Sequence, residues 1–161
     1  MLDSRSKRKY GSEYDSAILE QWKTFVEMAD SNTEKRNNSN NLFIAINSAF
    51  LAAVTFAGDK KSIVLSSVGI IVCVLWLISI RSYKQLSEVK YSIINEIEKK
   101  LPIAPFTYEW EKLQREQKYI GLTSVEKFLP KIFLALYLFV ICIPIMKMVF
   151  PLICNQLGGA L

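Results

Sequence analysis

The residues of this chain best suited to chemistry are its paired carboxylates and its three cysteines. Glu96 and Glu98 lie two apart, as do Glu109 and Glu111. On a helix, residues two apart point to different faces, so neither pair can share a metal or divide acid and base roles. Cys73, Cys142 and Cys154 form no C-x-x-C pair, and each lies in or beside an apolar run, where cysteine acts as a small apolar filler. Cys154 keeps a disulfide between subunits open, should it face an oxidising compartment. There is no histidine, which removes Ser-His-Asp and Cys-His catalysis and imidazole-bound zinc. The only adjacent glycines are Gly158 and Gly159, so no phosphate-cradling loop is present. The expectation is a protein with no catalytic residues, no metal and no cofactor.

What remains is a set of polar groups inside apolar sequence. Asn41, Ala45, Ser48, Ala52, Thr55 and Asp59 recur at steps of four, three, four, three and four, which puts one small, polar face on a helix. Asn41, Asn47, Ser48 and Thr55 are candidates for uncharged belts lining a water-filled path, with Leu51 as a neighbour able to close it by dewetting. The same small residues would also let two helices approach closely in lipid, and both readings stand at this point.

The elements that position these groups are membrane helices. Leu42–Gly58 is seventeen residues without a charge, Ser62–Ile80 is nineteen, and Phe128–Val149 is twenty-two, interrupted only by Lys131 and Lys147. Such runs predict three spans, all helical, because lipid offers no partner for unpaired backbone groups. The fold class is therefore an all-α integral membrane protein. The first apolar run starts behind a charged segment, so no cleaved signal peptide is expected. Seven Lys and Arg residues fall in 1–41, ten in 81–131, two in 59–61, and only Lys147 beyond residue 131. Retention of positive charge inside predicts a cytoplasmic N-terminus, an external 59–61 turn, a cytoplasmic 81–131 segment and an external C-terminus. The net charge of +5 is thus mainly an orientation signal, and no nucleic-acid binding is expected.

The expected order is an N-terminal amphipathic helix in 1–41, a two-span hairpin at 42–80, a helical extension and return at 81–131, a third span at 128–154 and a tail at 155–161. Ser12 and Asp15 resemble a cap before a stripe of Tyr14, Ile18, Trp22, Phe25 and Ala29. The run Arg36 to Asn41 holds poor helix formers, which would loosen the join to the first span. Ser62, Ser66, Gly69 and Cys73 give the second span a small face of its own. That span continues without Gly or Pro to Lys100, with Leu86, Val89, Ile93 and Ile97 as a stripe, until Leu101-Pro102 ends it. A short helix capped by Thr107 then presents Trp110 and Leu113, and Thr123 with Glu126 matches a capping box before the third span. An amphipathic extension in water must pack on something, so Trp22, Tyr83, Leu86, Lys90, Ile93, Ile97, Glu98 and Trp110 are candidates for a helical collar. Lys90 and Glu98 are a candidate ion pair between subunits.

The central stretch resembles the RipA-type octameric bacterial membrane proteins. The residues that carry the resemblance are Trp76, Ile78, Arg81, Tyr83, Gln85, Leu86, Lys90, Ile94, Glu96, Glu98, Leu101-Pro102, Pro105, Tyr108, Glu109-Trp110 and Leu113. The resemblance implies a homo-octameric ring in the bacterial inner membrane, associated with phage defence and similar in plan to the pore-like accessory membrane protein of type VI-B CRISPR systems. Two functions follow as expectations. One is a self-assembled pore that perturbs the membrane. The other is a non-conducting scaffold whose cytoplasmic helices recruit a soluble defence protein. In either case the partners are lipid and further copies of the chain.

Overall fold

The computed structural model describes residues 7–116 and 121–158. The elements are α1 (Lys7–Tyr10), α2 (Tyr14–Phe56), α3 (Asp59–Glu98), α4 (Pro105–Glu116), α5 (Leu122–Glu126) and α6 (Phe128–Gly158). No strand occurs among the described residues. Three stretches, in α2, in α3 and from Leu122 to Lys147, are long and apolar enough to cross a bilayer. The side chain of Cys154, which bears on the expected disulfide, lies outside the described residues, as does the end of the expected tail.

Helix α2 departs from expectation. Instead of a loose join at 36–41, it runs unbroken for 43 residues, about 65 Å at ~1.5 Å per residue, roughly twice what a ~30 Å hydrocarbon core needs. The poor helix formers are held by tertiary bonds, which override a propensity deficit of tenths of a kcal/mol per residue. Asn40 accepts a hydrogen bond from Trp76 Nε1 at 2.9 Å and donates to Glu126 Oε1 at 3.0 Å. Ser39 Oγ lies 3.3 Å from Ser79 Oγ. At the start of the helix the expected Ser12–Asp15 cap is replaced. Gly11 turns the chain at φ +86°, and Asp15 instead pairs with Lys7 at 2.6 Å.

The chain divides into two compact units. Residues 39–80 with 123–161 form one, close to the expected hairpin and third span. Its interior holds Cys73, Trp76, Ile80 and Tyr137, all at most 1% exposed, with Asn47 and Ser66 at 0%. Trp76 stacks on Phe43 at 5.7 Å with an interplanar angle of 7°, and meets Phe133 at 6.2 Å. Outward it shows Val64, Ile71, Leu75, Ile78, Phe139 and Met146, a surface suited to lipid rather than water.

Residues 1–38 with 81–122 form the other unit. Ile18, Ala29, Ile94 and Ile97 are its buried apolar residues, and Phe106 of α4 touches both Trp22 and Tyr91 at 6.0 Å between ring centroids. Tyr83, Ser87, Lys90, Ile94 and Ile97 recur on α3 at steps of four, three, four and three, each half-buried or buried, and Ile93, Asn95, Glu96 and Glu98 are covered beside them. That is a seven-residue repeat of the kind that packs two helices along a seam. The expected stripe departs at Leu86 and Val89. Leu86 and Val89 are 47% and 57% exposed, Ile93 is half-buried, and only Ile97 is buried. The physical reason is that polar side chains take seam positions, with Asn32 Nδ2 donating to Ser87 Oγ at 2.9 Å.

Candidate functional site

Within the apolar unit, three elements converge on Asn47. Its side chain returns to its own helix, Nδ2 donating to Phe43 O at 2.8 Å. Its Oδ1 accepts from Cys73 Sγ at 3.2 Å, and Tyr137 Oη donates to the Asn47 backbone oxygen at 2.9 Å. Buried polar groups need such partners wherever water is excluded. Tyr137 reaches this position because Gly69 has no side chain. A Cβ built there would fall 2.3 Å from Tyr137 Cζ. Asn47 was expected to line a polar path, and that is corrected by its complete burial and its bonds within the subunit. It is a fastening between α2, α3 and α6. The signal that could have separated it from Ser48 is the spacing itself, because Asn47 lies one residue off the 41–45–48–52–55 face.

The remaining members of that face behave as a set. Asn41, Ala45, Ser48, Ala52 and Thr55 are all exposed, while Leu51 is half-buried beside them. Thr55 Oγ1 donates to Ala52 O at 2.7 Å, which lets a hydroxyl persist in an apolar environment. This strip of small and polar side chains differs from the large apolar residues that cover the exposed α3 and α6 surfaces of the same unit.

In the second unit the chemistry centres on Glu98, a carboxylate that is 1% exposed. Its two oxygens accept from Phe106 N, Thr107 N and Thr107 Oγ1, each at 3.1 Å. Glu98 thereby caps the N-terminus of α4, satisfying donors the helix cannot satisfy itself and placing negative charge at the positive end of the helix dipole. Two expectations are corrected by this geometry. Thr107 does not open α4, which begins at Pro105, where a missing N–H costs nothing. Glu98 does not serve an ion pair with Lys90, because its oxygens are committed to the cap. A neighbouring carboxylate, Glu96, bonds Lys99, and that bond holds its carboxyl below the usual range near 4.5. Glu126 also accepts from Asn40 Nδ2 at 3.0 Å.

Of the other collar candidates, Trp22 is half-buried against Phe106, and Trp110 is 50% exposed on α4. Tyr83, Leu86 and Lys90 come together with Met28 and Lys35 along a groove between α2 and α3 of about 390 Å³. No cluster able to hold a metal ion occurs among the described residues.

The sequence pattern of the octameric membrane protein family, 8xMP, matches residues 19–146. The chain belongs to that family. It is an all-α membrane protein with three membrane-crossing helices, as its sequence predicts. Comparison with curated proteins and with solved structures finds no match. The matched 8xMP segment takes in the Asn47 fastening, the exposed strip of α2, the groove and the Glu98 cap, so these features lie within the family's own span rather than in an appended region.

Proposed function

We propose that the chain assembles as a homo-octameric ring in the bacterial inner membrane and there forms a pore-like effector that perturbs membrane integrity in antiviral defence, with no enzymatic step of its own. The observation that carries this reading is the exposed strip Asn41, Ala45, Ser48, Ala52 and Thr55. An exposed amide such as that of Asn41 is costly against lipid, whereas a ring repeats each polar group of the strip around its axis and keeps a central path hydrated. The family's octameric state supplies the ring. The defence role rests on the resemblance to RipA-type proteins, and the absence of histidine from the sequence supports a non-enzymatic part. Seven basic residues in 1–41 and ten in 81–131 favour a cytoplasmic N-terminus and an external C-terminus.

The test is ion flux through the purified protein in vesicles, with native mass measured on the same preparation. Octamers that release a trapped ion support the reading. Octamers that leave vesicles tight favour the alternative, a scaffold that recruits a soluble defence protein.

A further inference from the structure

We infer that subunits of the ring are joined by α4 of one copy docking in the α2–α3 groove of the next, with the Glu109-Trp110 edge of α4 set against Lys35 and Lys90. This rests on the octameric reading and deepens it by naming the joint.

Both halves of the contact lie in the more polar unit, where lipid does not cover apolar surface. On one side is the groove, with Met28 46% and Leu86 47% exposed between Lys35 and Lys90, and Glu27 at its lip. On the other side α4 turns outward Tyr108 at 66% and Trp110 at 50% exposure, with Glu109 exposed beside the indole, whereas Glu111 is paired with Arg115 at 3.7 Å and Lys112 lies over the Tyr108 ring. The two lysines of the apolar-floored groove are complementary in charge to Glu109 beside the indole. An aromatic anchor in a pocket is also the usual energetic centre of an interface.

The start of α4 lies close to the groove. Phe106 touches Trp22 and Tyr91, so α4 starts beside the end of the groove, which runs from Thr24 to Lys35 and from Tyr83 to Lys90. Trp110 is one helical turn, about 6 Å, beyond Phe106. The two patches differ, making the contact heterologous, and heterologous contacts close into rings whereas self-complementary ones stop at dimers.

The test joins Lys90→Cys and Glu109→Cys in a full-length chain whose Cys142 and Cys154 are changed to serine, treated in membranes with a short bismaleimide. The expected product is a ladder of covalent species reaching eight chains, absent when either cysteine stands alone. In parallel, Lys90→Glu and Glu109→Lys should each weaken subunit affinity about fivefold, and the two reversals together should restore it, which separates a broken contact from a misfolded chain. An octamer by native mass that yields no ladder overturns the docking while leaving the octamer standing, and the groove then becomes open to a soluble partner. A monomer by native mass removes both.

Discussion

Gly69→Ala places a methyl group where the Tyr137 ring now lies. From 2.3 Å the ring must retreat about 1.1 Å to reach ordinary contact at 3.4 Å. The obstacle is the body of an aromatic ring, so no flexible tip can step aside. Overpacking of this kind costs about 1–3 kcal/mol. The retreat also weakens the 2.9 Å bond from Tyr137 Oη to the Asn47 backbone, and interhelical hydrogen bonds in membranes contribute about 0.6–1.7 kcal/mol. The combined expectation is a loss of about 2–4 kcal/mol. Reversible unfolding in mixed micelles measures it, and a double-mutant cycle assigns it. In a Tyr137→Ala background the new methyl has space, so Gly69→Ala should cost under ~0.5 kcal/mol there, the usual limit for uncoupled sites. An equal cost in both backgrounds refutes the close approach of ring and helix as its source.

Three further expectations follow. Glu98→Ala leaves the Phe106 and Thr107 amides uncapped, lowers stability by about 0.5–2 kcal/mol as lost N-caps do, and should speed hydrogen exchange at those two amides first; unchanged exchange there contradicts the cap. Lys99 holds the Glu96 carboxyl below the usual carboxylate range, so its small contribution to stability is present above its unfolded pKa and lost as pH falls through the lower folded value; NMR titration should show Lys99→Met moving it upward. In intact cells an impermeant thiol reagent should label Lys60→Cys and spare Lys100→Cys, and the opposite pattern overturns the orientation.

The uneven legibility of the fold has physical causes. The three apolar runs, the amphipathic α3 extension and the stop at Leu101-Pro102 were readable, because length, charge and periodicity are local quantities. The continuity of α2 was not, since Asn40 is a poor helix former until Trp76 and Glu126 hold its side chain. Glu98 was legible as a collar candidate but not as a cap, because its partners lie eight and nine residues onward across a turn. Leu86 and Val89 misled by their size. Ser87 and Lys90 are the half-buried positions there instead, which periodicity of hydrophobicity alone undervalues. Asn47 and Ser48 are adjacent and equally polar, and only the third helix, through Tyr137, distinguishes the fastened residue from the exposed one.

The most direct test of a water-filled path along α2 is conductance across a planar bilayer after aqueous thiol modification of Ser48→Cys, with Ile71→Cys as the lipid-facing comparison and Cys142 and Cys154 changed to serine in both. A charged thiosulfonate added from water should react with Ser48→Cys and change its conductance sharply, while Ile71→Cys conducts as before. Octamers whose Ser48→Cys stays unmodified, or is modified with conductance unaltered, would contradict a pore lined by this face.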